Sequence, residues 1–469
     1  MTGALRELPE NFRNFLRVAR MRPFDTTTDE GRSLERYRRI VMGTAASLLG
    51  RLVTTLAGLV VVPMAIGYLG KDRYGLWVAA SSLAAWVVLL DPGLSAGLLN
   101  GIAESEGRDD RPRARALFST AFITLALVAI LALLAGGVLL SLTPWADFLS
   151  VPAEIGKREV LWTAAAALGT AVVALPFASV AQVYMGSQRA YLATAFATLA
   201  ALVALAALLG TVSARASLPM VTAALGSGGL VAGVGGLAFL LRREMPWMRP
   251  RLSDVRRPIY RRLFASAAPL YLFQIGSLFV NQSQALVLAR RAGLGVVAEY
   301  DLVWRFVALG VALVTLSTGS AFPAFREAWE RGDRAWMRRA FWHVVRLRLA
   351  LAAAGCTVLF FSGNLILRVW LHRSDFQYSP SEWLLLCSII GVAVWTSSFL
   401  ELLAVLDRTW VQIPVVLVQG ALTFGITWIL APSMGIRGAL LGSLLPSVAL
   451  ASWIFPRLAW PIVARERAI

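Results

Sequence analysis

The sequence predicts an all-α polytopic membrane protein of about twelve transmembrane helices, in two pseudo-symmetric six-helix bundles. Three observations carry this. The chain of 469 residues is 58% hydrophobic and 15% charged, with apolar runs too long and too frequent for a soluble domain. Its basic residues crowd into alternate connections between those runs. Its two halves also repeat a set of residues in order and in register.

The first apolar stretches frame the rest. Residues 68–100 open with a polar turn, Gly70-Lys71-Asp72-Arg73, and run through apolar residues to Asp91, Pro92 and Gly93. An acid inside such a run is costly and marks function by default. Pro92 lacks a backbone donor and should bend the helix beside Asp91. The preceding run carries Arg51. Counted from the expected inner ends of their spans, Arg51 lies roughly 16 Å deep and Asp91 roughly 15 Å deep, at 1.5 Å per residue. Opposite charges at one depth either pair structurally or share a watery cavity. Pro92 makes this region a candidate hinge and Asp91 a candidate ion-coupling group.

The expected spans are 40–67, 74–99, 116–141, 158–184, 191–212, 218–241, 263–289, 298–323, 347–368, 382–406, 410–430 and 437–460. With the N-terminus inside, the inner segments hold about 32 of the basic residues and the outer ones about 10, which places both termini in the cytoplasm. The net charge of +18 then faces anionic lipid headgroups at the cytoplasmic surface, a better account than nucleic acid. Residues 1–37 form a cytoplasmic tail in which Phe12, Phe15, Leu16 and Ala19 share a helical face, consistent with an interfacial amphipathic helix or a solvated tail. No cleavable signal peptide is expected. Residues 38–241 make the N-terminal bundle, 242–262 a basic cytoplasmic linker, 263–460 the C-terminal bundle and 461–469 a second cytoplasmic tail.

The repeat pairs Leu69-Gly70, Tyr74, Leu76 and Trp77 with Leu294-Gly295, Tyr300, Leu302 and Trp304 at an offset of about 226, which puts Asp91 on Ser317 and Gly93 on Gly319. Arg189-Ala190-Tyr191 matches Arg408-Thr409-Trp410 at about 219, which puts Gln182 on Glu401. Glu401 is thereby a second candidate coupling acid. Gly229 and Gly233 form a small-xxx-small pair for close helix packing.

The seventh span carries Gln274, Asn281, Gln282 and Gln284. Gln274 and Asn281 share a face and Gln284 lies close to it, so this stripe either lines a sugar path or hydrogen-bonds between helices. Asp301 and Arg305 stand at i, i+4, the spacing of a surface ion pair, although Arg305 also suits an anion. Cys356 and Cys387 fall within spans and imply no disulfide framework. His343 and His372 lie at opposite faces, so no metal site or catalytic triad assembles, no cofactor is implied, and the chain does not read as an enzyme.

The stretch LGKDRYGLW followed by LLDPGLSAGLLNGIAE resembles the start of the polysaccharide-export flippases of the multidrug/oligosaccharidyl-lipid/polysaccharide transporter superfamily. The likeness is specific over residues 66–105 and general over the rest in span number, orientation and repeat. It implies two six-helix bundles in a V around a central cavity, and translocation of lipid-linked sugar repeat units between leaflets of the bacterial inner membrane. Relatives hold the substrate diphosphate in cationic cavities. Arg51 and Arg305 are the candidates for that role by chemistry, with Gln274, Asn281 and Gln284 for the sugars. Asp91 is the acid that falls on a family motif. The coupling ion would be H+ or Na+. A multidrug exporter of the same superfamily is the alternative, and would favour acids and aromatics over buried arginines. A membrane glycosyltransferase, polymerase or ligase would need a large outer loop or clustered catalytic groups.

Overall fold

A computed structural model describes residues 29–316, 321–406 and 408–463. The amphipathic reading of the first residues, the positions 317 and 319 in the repeat, and Asp407 lie outside that range. The described residues form helices and no strand. This is the all-α polytopic fold that the long apolar runs dictate.

Helix α1 (Asp29–Ala85) holds the first two expected spans in one continuous stretch, broken only at Gly70, whose φ of 76° and ψ of 175° are non-helical. Glycine reaches that φ without a Cβ clash, so a single residue does the work expected of a polar loop. A 3-10 turn (Trp86–Leu90) follows, and α2 (Leu94–Gly107) starts after it. The first half continues with α3 (Arg111–Leu142), a one-turn helix (Trp145–Phe148), α4 (Lys157–Ala174), α5 (Ala178–Gly186), α6 (Ala190–Ser213) and α7 (Leu218–Phe239). The second half comprises α8 (Arg257–Arg291), α9 (Leu294–Leu316), α10 (Ala321–Glu330), α11 (Arg334–Leu371), α12 (Pro380–Val405), α13 (Ile413–Met434), α14 (Ile436–Pro446) and α15 (Ser452–Val463).

Nine stretches among the described residues are long and apolar enough to cross a membrane, fewer than the twelve expected. One of the nine, Leu49–Leu90, contains two expected spans joined at Gly70. The positions of the seventh and eighth are held by α8 and α9. α8 carries four amides, and α9 carries Glu299, Asp301 and Arg305. These are the helices on which the sequence placed polar function.

The connections alternate between two ends of the molecule. At one, the Gly70 end, Tyr68 donates to the Ala216 carbonyl (2.6 Å), and Arg290 donates to the Asp147 carbonyl. At the other, the linker end, Arg189 pairs with Glu244, and Arg115 with Asp254 at 2.8 Å. The linker itself is folded onto the first half. Met245 and Met248 are buried, and the Arg251 amide donates to Ser119 Oγ at 3.2 Å.

The apolar core shows how the halves meet. Toward the Gly70 end one cluster joins Val62, Ile66, Tyr74 and Leu76 of the first half with Leu288, Leu294, Leu302 and Trp383 of the second. Toward the linker end the core divides. Leu94, Phe118, Tyr184 and Met248 form one cluster with the first half, and Phe341, Phe399, Leu402 and Phe455 form another in the second half. The halves therefore share one core at the Gly70 end, while at the linker end each has its own cluster and α8 packs across, through Leu263, Ala267 and Tyr271.

Close approaches rest on glycine, at positions only partly foreseen. A Cβ on Gly228 would meet the Ala200 carbonyl, and one on Gly233 the Phe177 ring, whereas one on Gly229 would meet nothing. The tight pair is Gly228 and Gly233 rather than Gly229 and Gly233. At the Gly70 end, a Cβ on Gly75 would overlap the Leu294 carbonyl, so α1 and α9 cross there backbone to backbone.

Candidate functional site

Arg51 lies on an exposed face of α1. At 100° per residue, Arg51, Thr54, Thr55 and Gly58 share one face, and Leu49, Leu52, Leu56 and Val60 share the opposite one. Both faces are open: Arg51, Thr54 and Thr55 are exposed, and so are the four apolar residues. Leucine faces lipid without cost, but a guanidinium does not. The Arg51 face therefore needs water or lipid headgroups beside it. Its guanidinium has no hydrogen-bond or ion-pair partner among the described residues.

The depth expected for Arg51 needs revising. The helix does not end near residue 40 but continues back to Asp29, so the Gly70 break is the better reference. Arg51 stands 19 residues before it (70 − 51), about 28 Å at 1.5 Å per residue, nearly the full hydrocarbon thickness. Asp91 stands 21 residues after it (91 − 70), about 32 Å allowing for the steeper rise of the 3-10 turn. Both thus lie toward the linker end, at one height, as the sequence suggested, but not at mid-depth.

They are not an ion pair. Asp91 is 7% exposed, and its Oδ1 accepts the backbone N–H of Leu94 at 2.7 Å, with Ser95 N 3.3 Å from Oδ2. The carboxylate thus caps the start of α2, where unpaired N–H groups and the helix dipole favour negative charge. The chain does not bend at Pro92 but breaks: Asp91 is extended (φ −98°, ψ 95°) and Gly93 left-handed (φ 87°). This joint packs on the second half. Gly93 abuts Ala267, and Tyr271 donates to the Leu89 carbonyl at 2.9 Å. Beside it, Ser95 Oγ and Trp86 Nε1 are buried without partners among the described residues.

The amide stripe on α8 divides. Gln284 is fully buried. Its Nε2 donates to the Ala439 carbonyl at 3.1 Å and to Ser443 Oγ, and its Oε1 accepts from Tyr300. It ties α8 to α9 and α14, so the sugar-path expectation fails for this residue: every polar atom is already satisfied. Asn281 is exposed and donates to the Ser277 carbonyl at 2.8 Å. Gln274 is half-buried and has no side-chain partner among the described residues. Gln274, Ser277 and Asn281 share a face. Gly293, with φ of 98°, breaks the backbone before α9 as Gly70 does within α1, although the sequence repeat sets Gly295 against Gly70, and Gln274 stands 19 residues before it (293 − 274). The amide thus lies as far before the break in the second half as Arg51 does in the first.

Arg305 is not a free cation. Its Nε donates to Asp301 Oδ2 at 2.8 Å, and the Tyr74 hydroxyl of the first half donates to the same oxygen at 2.6 Å. The i, i+4 pair foreseen on α9 thus forms, and gains a partner across the halves that spacing could not show. Lys71 Nζ pairs with Glu299 Oε1 at 2.6 Å beside it, and Trp370 donates to the Leu59 carbonyl at 2.8 Å.

Glu401, 32% exposed, accepts from Arg348 Nη2 at 2.8 Å. Arg348 is 0% exposed and also reaches Ser398 Oγ. Sequence reasoning passed over Arg348 because it stands at the expected start of a span, where charge is ordinary. A signal existed in Arg-Leu-Arg-Leu, which places Arg346 and Arg348 on different helical faces. Cys356 and Cys387 are free, each thiol pointing at the other's carbonyl across α11 and α12 (3.6 and 3.4 Å). No group of three metal-ligating side chains occurs among the described residues.

Comparison with solved structures places this architecture. A multidrug resistance MATE family transporter of the MOP superfamily in an inward-facing conformation superposes with a TM-score of 0.73 at 12% identity, over 90% of this chain and all of that one. An outward-facing MATE family transporter gives 0.61 at 14% identity, over 92% and 97%. A MOP superfamily transporter from Pyrococcus furiosus, described as having a binding pocket of reverse polarity, gives 0.59 at 14%, over the same shares. These likenesses establish a shared fold. A search of curated sequences finds no match. The model of the family described as polysaccharide biosynthesis protein matches residues 40–329, well over half of the chain, and the protein accordingly belongs to that family.

Proposed function

We propose that the protein is a flippase that moves a polyprenyl-diphosphate-linked oligosaccharide, a polysaccharide repeat unit, across the bacterial inner membrane by alternating access. The observation that carries this is Arg51: a guanidinium on an exposed helix face with no partner among the described residues, with Gln274 standing at the same distance before the Gly293 break of the second half. A diphosphate leaving water needs fixed donors, and the guanidinium fork offers two to one phosphate. Amides and hydroxyls opposite it (Gln274, Ser277 and Asn281) suit sugar hydroxyls.

In this reading the chain makes twelve passes with both termini cytoplasmic, residues 38–241 and 263–460 being the two bundles. The linker end, rich in arginine, faces the cytoplasm and its anionic lipids. A core fused at the Gly70 end and divided at the linker end supports a state open to the cytoplasm, as does the higher score against the inward-facing relative. Asp91 and Pro92 form the hinge of the second span. Glu401, the more exposed acid, is the better place for coupling to H+ or Na+.

The test uses the purified protein in proteoliposomes with a fluorescent polyprenyl-diphosphate oligosaccharide. Wild type should carry it between leaflets. Arg51→Ala should lose about 10- to 100-fold, the worth of charge-assisted hydrogen bonds of roughly 1.5–3 kcal/mol, and Arg51→Lys should retain an intermediate rate. Equal rates in wild type and Arg51→Ala would overturn the assignment. Export of cationic dyes in preference to the diphosphate lipid would favour a multidrug exporter instead.

A further inference from the structure

We infer that the cluster at the Gly70 end is a second anion subsite, shared by both halves, in which Asp301 occupies the place of a phosphate while this end is closed. The inference rests on the flippase reading and adds what releases the closed end.

Asp301 Oδ2 accepts two bonds, from Arg305 Nε on its own helix and from the Tyr74 hydroxyl on the other half. The neighbouring Lys71 and Glu299 repeat the arrangement, with the cation on the first half and the acid on the second. Two donors from opposite halves converging on one anionic oxygen make an anion site whose ligand is tethered. Arg305 is 30% exposed and Asp301 19%, so the pair is not sealed in the core.

A phosphate oxygen is chemically what Asp301 imitates. Arg305 presents a planar fork, and one of its edges is given to a single carboxylate oxygen; a diphosphate offers more oxygens and more charge to the same fork. When a diphosphate takes Arg305, the carboxylate loses its counter-charge and becomes a poorly solvated anion between helices, which is costly. Asp301 must then move to water, and its bond to Tyr74 goes with it. That bond joins the halves. Arrival of the anion therefore loosens the end through which it must leave, and an empty carrier stays shut there.

The experiment uses the full chain in nanodiscs with Cys356 and Cys387 replaced by serine, and spin labels on Lys157→Cys and Gln377→Cys, exposed positions at the Gly70 end of the two halves. Distances are read by double electron–electron resonance, and binding by titration, with farnesyl diphosphate as probe and farnesol as the uncharged control. Farnesyl diphosphate should lengthen the distance and farnesol should not. Asp301→Asn should populate the longer distance with no ligand and bind the diphosphate about tenfold tighter, the scale of one charge-assisted hydrogen bond no longer contested. Tyr74→Phe, which removes only the hydroxyl, should also lengthen the ligand-free distance but leave affinity within about twofold, since the guanidinium is untouched. If the diphosphate binds in an Arg51-dependent way while Asp301→Asn and Tyr74→Phe keep the wild-type distances, the subsite is refuted and the flippase reading stands. If neither wild type nor Asp301→Asn binds the diphosphate, both fall.

Discussion

Gln274 and Gln284 show how far a side chain's surroundings decide its role. They are one residue type on one helix, ten positions apart. Gln284 satisfies three partners on two other helices; Gln274 satisfies none. Gln284→Leu should therefore strand Tyr300 and Ser443 and cost about 1–3 kcal/mol, the penalty for buried polar groups left unpaired. In a detergent melt it should unfold several degrees below wild type. Gln274→Leu should melt like wild type and transport the lipid-linked sugar poorly. A normal melt for Gln284→Leu, or normal transport for Gln274→Leu, would reverse the two assignments. The stripe itself was legible as helical spacing of amides. Which amide was free was not, because that depends on Ala439, Ser443 and Tyr300, far away in the chain. Arg305 carries the same lesson: its i, i+4 acid was readable on α9, but Tyr74, 227 positions from that acid, was not.

At the scale of elements, the break at Asp91-Pro92-Gly93 matters more than a bent helix would. An N-terminal capping carboxylate contributes about 0.5–2 kcal/mol over alanine, and asparagine keeps most of it. Asp91→Asn should hence leave α2 in place, and Asp91→Ala should weaken it, seen as faster amide exchange over Leu94–Ser95. Because Arg51 does not neutralise Asp91, the double change Arg51→Ala with Asp91→Ala should transport no better than either single change. Rescue by the double variant would restore the buried ion pair that the geometry denies. Sequence alone located the irregularity, as a bend within one span, since proline removes a backbone donor; that the helix ends there was not foreseen. It could not show that the acid's partner is the next helix's own backbone, three residues on.

For the whole molecule, the division into fused and separate ends sets what a substitution can do. Gly75 has no room for a side chain against Leu294. Gly75→Val would wedge the halves apart at the Gly70 end only. Spin labels at 157 and 377 should then read long distances without ligand, and the melting temperature should fall, because the shared core is pried open there. An unchanged distance would place the hinge of the halves elsewhere. The repeat led to the expectation of two halves, and simple counting to that of alternating basic connections. The asymmetry between the ends was not, since both halves carry similar apolar runs and only their mutual tilt distinguishes the states.

The cluster that ties the Gly70 end also has an electrical consequence. Lys71 with Glu299 and Arg305 with Asp301 each sum to zero charge, and each pair bridges or flanks the contact between halves. Opening or closing this end while empty shifts no net charge across the bilayer at these groups. Membrane voltage, which acts with about 2.3 kcal/mol per elementary charge per 100 mV, has little purchase on that step. On the proposed flippase reading, a diphosphate moving from Arg51 toward Arg305 would carry charge through the field. Voltage would therefore bear on the loaded crossing and leave the empty return to thermal motion, so that the potential sets the direction in which cargo accumulates without setting how fast the carrier resets.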